Sequence, residues 1–464
     1  MENRINRRRG QRRTALYCRF RCLVLLCALF ASDRTIPVRS STATAADGTD
    51  EWLLFSAKGR HAPDGSGSAP VVGIICADGS AEQYPDFGVA GQNGWQLGPQ
   101  FADGTFVARS FEDTTVAAAV AGRRNGSIWL FDPVSGRIER ELLADFDGGD
   151  SDISVDLLLP SGRLLVGIIG DGGQRQLYDM DLSGTDARPI TSTGEGFHYG
   201  SHLSPDGSRL SCHLTGGVRY RKSGLVDSPY RVGYYSINVM GLSGQPRTLV
   251  HGEEGHLFFD PAWSPNSRSL VYLDCLPQTD PGHTRADLVL ATTDAATPGG
   301  WRTRRLTTDQ RQWFGTAYGP ADARGGGSNT SSWSPDGRFV TWTRLTPGAH
   351  MDCYFDPTRP NHQENVFAPE RAKGGTQICL LAPATGEVVE LTDAVEHRWD
   401  FRPRWSPSGR SIAFVRCIVG GYAELWVMQA DGSGQRRLTT GPAHAPRGCD
   451  HPRWISWPDT AVDM

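Results

Sequence analysis

Seven residues able to do chemistry stand at matching places in repeated units of the chain: Asp156, His198, Asp260, Asp400, Arg402, Cys449 and His451. Imidazoles and carboxylates can move protons, a guanidinium can neutralise an anionic ligand, and a thiolate beside an imidazole can hold zinc. Counting back three from the Trp that opens each repeated turn, or from its equivalent, gives Gly98, Asp156, Gly200, Asp260, Thr330, Arg402 and His451. Two residues earlier come Gln96, Ser154, His198, Phe258, Ser328, Asp400 and Cys449, which in a strand of period two project to the same side. If the units form a ring, these groups converge at the mouth of its axis, the default location for a binding site. The alternative is structural: Asp260, Arg402 and Asp400 could pair across adjacent units.

The units that must position them are read from turns. Leu203-Ser204-Pro205-Asp206-Gly207, Trp263-Ser264-Pro265-Asn266-Ser267, Trp333-Ser334-Pro335-Asp336-Gly337 and Trp405-Ser406-Pro407-Ser408-Gly409 share one pattern. Pro followed by Asp, Asn or Gly closes a tight turn, and β-rich runs such as Phe339 to Trp342 and Ile412 to Val415 follow. A second strand pair then comes, as in Glu424 to Met428, Ala430 to Gly434 and Gln435 to Thr439. Weaker copies begin at Phe101 and Leu159. A seventh unit is split between Asp450 to Trp454 at one end and Trp52 to Ser80 at the other. The chain therefore reads as all-β, a seven-bladed propeller of four-stranded antiparallel blades, its ring closed by both termini sharing one blade.

These repeats resemble the WD40-like propeller repeats of the TolB family. The hallmark Trp-Ser-Pro-Asp-Gly turn, a later Ala-Asp-Gly turn and Arg-Arg-Leu-Thr are nearly complete between Trp405 and Thr439. The resemblance implies the architecture over nearly all of the chain beyond its leader; it leaves function open, because such repeats serve scaffolds, peptidase-linked propellers and lyases alike. An amino-terminal α/β domain of the kind found in TolB itself is not expected before the repeats.

Strand order puts the Ser-Pro-Asp-Gly and Ala-Asp-Gly turns on one face. The long connections, Gly216 to Gly233, Leu276 to Ala286, Asp309 to Asn329 and Leu345 to Thr376, fall on the other. Long loops on a rigid scaffold carry binding surfaces, and Trp313 and Tyr318 would suit stacking on a sugar or gripping a protein. The expected function is therefore a scaffold binding a protein or carbohydrate ligand, with no cofactor. The alternative is a lyase resembling oligogalacturonate lyase, with a divalent metal, in which His198, Arg402 and His451 are the catalytic candidates. Only the second half of that family's His-Pro-His-Pro segment is present, at His451-Pro452, with Cys449 at the earlier histidine's place. No Gly-x-Ser-x-Gly elbow or His-Glu-x-x-His helix is visible.

The first 45 residues hold ten Arg against two acids, and the apolar run Cys22 to Ala31 precedes Ala43-Thr44-Ala45. They read as a cleavable leader, residues 1–45, before a single propeller domain, residues 46–464, and imply a periplasmic or secreted protein. The ten-residue run is too short to span a bilayer, so no transmembrane span is expected after leader removal. Losing the leader takes the net charge from −4 to near −12, which argues against a nucleic-acid partner. A monomer is expected. Among the cysteines only Cys353 and Cys379, in one repeat, are placed to form a bridge, and the acidic run Asp145, Asp147, Asp150 and Asp152 reads as a solvated connection.

Overall fold

The computed structural model of the chain describes residues 51–61, 68–84, 94–101, 104–111, 128–132, 137–143, 153–169, 175–191, 197–215, 234–242, 248–253, 256–276, 285–308, 315–318, 325–328, 331–349, 373–439 and 448–456. They form seven antiparallel blades around a ring, with two of the blades joined in one eight-stranded sheet, and a small hairpin, Gly315–Tyr318 with Gly325–Ser328, outside them. We number the blades by their first strands: Gly94–Gln100, Ile153–Leu158, Phe197–Leu203, His256–Trp263, Ser332–Trp333, Arg398–Trp405 and Cys449–Ile455. In blade 7 the last strand of the chain pairs with Trp52–His61, which pairs with Ser68–Cys76, so both ends of the described chain share a blade as the split repeat implied. First strands of successive blades touch from blade 1 through blade 7. The circle closes where Arg453 Nη2 of blade 7 donates to the Gly98 carbonyl of blade 1 at 2.7 Å.

The repeated residues explain themselves physically. Each turn serine accepts the backbone N–H five residues on, as Ser204 does from Arg209 at 2.9 Å and Ser334 from Phe339 at 2.9 Å. Its hydroxyl donates to the Asp or Asn two residues on, Asp206 at 2.6 Å and Asn266 at 2.7 Å, so Ser-x-Asp locks the turn from both sides. Gly207, Gly337 and Gly409 take the left-handed conformation that follows. In blade 4 that place is held by Ser267 at φ 60°, whose hydroxyl accepts the Asp206 N–H of blade 3 at 3.0 Å and so ties neighbouring turns together. In blades 2, 4, 5 and 6 the threonine that ends the unit accepts an N–H near the start of the third strand: Thr191 from Leu177, Thr307 from Leu288, Thr392 from Ile378 and Thr439 from Leu425.

The turn tryptophans are staples between blades. Trp263 Nε1 donates to the His202 carbonyl of blade 3 at 3.1 Å, Trp333 to Ala262 of blade 4 at 3.0 Å, and Trp454 to Arg404 of blade 6 at 2.9 Å. Trp405 breaks the series. The equivalent carbonyl, Ser332, instead accepts the Thr341 hydroxyl of its own blade, and the Trp405 indole N–H has no hydrogen-bond partner among the described residues. Apolar cores lie between blades, as where Ile237 and Val239 of blade 3 meet Phe258, Tyr272 and Val289 of blade 4.

Ion pairs sit at the far end of the blades from these turns, and their signs alternate. In blade 4 Asp274 binds Arg305; at the same two positions of blade 5 Arg344 binds Glu390. Blade 6 has arginines at both places, Arg416 and Arg437, and each finds another carboxylate. Arg437 binds Glu424 at 3.0 Å, and Arg416 turns inward to Asp400.

Cys379 is a free buried thiol, so the bridge to Cys353 is not made; Cys353, the acidic run from Asp145 to Asp152 and the leader lie outside the described residues. Cys417 is buried. No helix among the described residues is long and apolar enough to cross a membrane.

Candidate functional site

Every first strand whose pairing is described over this stretch breaks register at the same place. The shift falls between Leu97 and Gln100, Val155 and Leu157, Tyr199 and His202, Phe259 and Ala262, and Phe401 and Arg404, and in blade 7 opposite Leu54 and Ser56. An extra residue in one strand of a pair makes a bulge, bends the strand and resets which side later residues face. In blades 3, 4, 6 and 7 the bulge residue takes a left-handed conformation: Gly200 at φ 57°, Asp260 at 58°, Arg402 at 54° and His451 at 54°, whereas Gly98 of blade 1 does not. Glycine adopts this shape freely; for the other three it costs about 1–2 kcal/mol each.

The bulges bring neighbours together in two sectors. Between blades 6 and 7, Arg402 Nε lies 3.0 Å from Asp450 Oδ1, and Arg402 Nη1 lies 2.9 Å from His451 Nδ1. Because a guanidinium only donates, His451 Nδ1 accepts, and the ring proton sits on Nε2, 3.3 Å from Asp450 Oδ2. Between blades 3 and 4, a β-carbon placed on Gly200 would come 2.9 Å from His213 Nδ1 and 3.8 Å from Asp260 Oδ1. Gly200 thus leaves room for a histidine of blade 3 and a carboxylate of blade 4. Asp260, Arg402 and Asp450 are buried and His451 is partly exposed; we call these bulge-borne groups of the first strands the axial belt.

The same bulge overturns the period-two argument for the residues two places earlier. Cys449 does not share a face with His451: it packs with Leu53, Phe55 and Leu425, and burial pushes its thiol well above the ordinary range. Phe258 lies in the core between blades 3 and 4, and His198 is fully buried opposite Leu214. Asp400 faces into its own blade. Arg416 Nε and Nη2 clasp its two oxygens at 2.6 and 2.8 Å, and the guanidinium lies over the Trp426 ring, 4.5 Å from its centroid. Arg398 adds a third charge at 3.6 Å, with burial lowering its pKa. Arg402 thus pairs with Asp450 of the next blade, and Asp400 with Arg416 of its own.

Asp156 stands at the bulge of blade 2 by its backbone, and Tyr318 at the end of the small hairpin opposite Gly325; Trp313 lies outside the described residues. Sequence reading missed His213 and Asp450, although Asp450 adjoins His451. Among the described residues no group of three or more His, Cys, Asp or Glu side chains could hold a metal ion. The weak candidate pair Cys449 and His451 is split by the bulge.

No family model matches the chain. Over 82 residues, 18% of this chain and 16% of the relative, it is 35% identical to the Tol-Pal system protein TolB 1 of Novosphingobium aromaticivorans. Over 99 residues, 21% of this chain and 14% of the relative, it is 31% identical to an uncharacterized peptidase, YuxL, of Bacillus subtilis. Among solved structures, a puromycin-hydrolyzing peptidase of Mycobacterium tuberculosis shares the fold with a TM-score of 0.55 and 12% identity. That match covers 89% of this chain and 54% of the peptidase, so the chain spans about half of it. Together with the closed ring and its repeated turns, these findings establish that the chain is a seven-bladed β-propeller related to the proteins of the TolB family.

Proposed function

We propose that the protein is an exported binding scaffold, periplasmic or secreted, that engages a glycan or protein ligand on its long-loop face and anchors it on the axial belt. The observation that carries this reading is the repeated left-handed bulge: three equivalent positions hold Asp260, Arg402 and His451 where glycine, as at Gly200, would be free of strain. Charged and titratable side chains kept at a backbone cost in separate blades suit a ligand-facing role better than a purely structural one. The belt has a carboxylate sector at Asp260 and a guanidinium and imidazole sector at Arg402 and His451, so a ligand with polar groups of both kinds fits it best.

The experiment is a binding screen of the purified protein against neutral and uronate oligosaccharides and against peptides of both charge signs, repeated with Asp260→Ala and His451→Ala. The reading expects a ligand whose affinity falls at least about tenfold in both variants, the size of one lost charge-assisted contact. Unchanged binding in both variants rules out the belt as the anchor. Unsaturated product from an acidic oligosaccharide would show that the protein is an enzyme rather than a scaffold.

A further inference from the structure

Blades 3 and 4 are joined unlike the others. Tyr234 and Tyr235, on the third strand of blade 3, pair in parallel with His256 and Leu257, at the start of blade 4, making one eight-stranded sheet. No other two blades are paired strand to strand among the described residues. Beneath this seam Phe258, fully buried, is stacked by two imidazoles: His251 at 4.1 Å and His256 at 5.5 Å between ring centroids.

The two histidines differ in surroundings. His256 is held by carboxylates, Asp274 Oδ1 at 2.7 Å from Nδ1 and Glu253 Oε1 at 3.5 Å from Nε2. Arg305 in turn binds Asp274, and Asp287 at 3.4 Å. His251 faces the buried Tyr272, its Nδ1 2.7 Å from the phenol oxygen, with Phe258 across its plane. The charged groups around it are Asp274, Glu253, His256 and Arg305. Burial lowers its pKa and outweighs the two carboxylates.

We infer that the seam between blades 3 and 4 is a pH-sensitive joint, closed while His251 is neutral and loosened when it takes a proton. The joint fixes Tyr234, the first described residue after the 216–233 connection, and lies four residues before the bulge at Asp260. Opening it would therefore loosen Tyr234 and the strand that carries one sector of the belt. The inference rests on the seam alone, whatever the belt binds. Its sign follows from the direction of the shift. The unfolded imidazole titrates near 6.5 and the folded one lower, so the joint is undisturbed above that value and weakens as pH falls through it toward the folded value.

Amide hydrogen exchange tests this, read as protection factors at residues 234–235 and 256–257 at pH 7.5 and 5.5. Protection in the parent is expected to fall by more than about threefold on acidification, because the two pH values lie on either side of the open-state titration. In His251→Phe, which keeps the stack on Phe258, and in His251→Gln the change should stay within about twofold. Tyr272→Phe, which retains the titrating ring, should behave like the parent. Three results would each overturn the inference: constant seam protection in the parent, an equal loss in both His251 variants, or a parent loss shared by residues 412–415 of blade 6, which would mark global unfolding.

Discussion

Trp454 of blade 7 donates its indole N–H to the carbonyl of Arg404 in blade 6 at 2.9 Å, whereas Trp405, its repeat equivalent, makes no such bond to blade 5. One residue type at one repeat position therefore does two different jobs. Trp454→Phe should cost about 1–2 kcal/mol, because it strands a carbonyl that has lost its donor. Trp405→Phe should cost less, since only packing changes. Urea denaturation of the two variants checks the difference, and equal losses would show that the staple adds nothing beyond packing.

Asp400 should behave as a fold residue. It is fully buried and clasped by Arg416. Removing one partner of a buried ion pair leaves the other uncompensated, so Asp400→Ala is expected to cost about 3–5 kcal/mol. Thermal denaturation reads it; a change below about 1 kcal/mol would return Asp400 to the list of candidate ligand contacts.

The reversed pairs of blades 4 and 5 make an exchange test. Arg344→Glu should destabilise blade 5, and adding Glu390→Arg should restore most of the loss. Because Glu390 is half exposed, the pair is worth less than about 1 kcal/mol. Its hydrogen bond to Arg344 holds the Glu390 carboxyl below the usual range. That stabilisation is present above the unfolded value of 4.5 and is lost as pH falls below it, so the parent and Arg344→Ala should converge in stability in acid.

Thiol titration separates core from site. Burial pushes Cys379 up to about 12, and Cys417 and Cys449 higher still. At pH 8 these thiols should not react with a disulfide reagent until the protein is denatured. Rapid labelling of Cys449 in the folded protein would contradict its place among Leu53, Phe55 and Leu425.

The ring was legible in the sequence because its signals are local. Ser-Pro-Asp-Gly turns need only their own six residues, and the split repeat at Asp450 to Trp454 needs only comparison with Trp405. Side-chain direction was not legible, because the argument from Arg402 to Asp400 assumed a strand of period two. The bulge that breaks this period leaves a clear mark where it falls on Gly200, but none where it falls on Asp260, Arg402 or His451. Partner choice was equally hidden: Arg416 turns to Asp400 because Arg437 occupies the place that Glu390 fills one blade earlier, a relation visible only once strand register is known.

The account turns on whether the bulge residues are kept for a ligand or for the fold, and the stability of Asp260→Gly tests this most directly. Glycine copies Gly200 of the preceding blade and relieves the left-handed strain at φ 58°. Chemical denaturation should show the variant to be as stable as the parent or up to about 1 kcal/mol more stable. A loss of more than about 1 kcal/mol would show that Asp260 holds the blades together, and would contradict a ligand-facing belt.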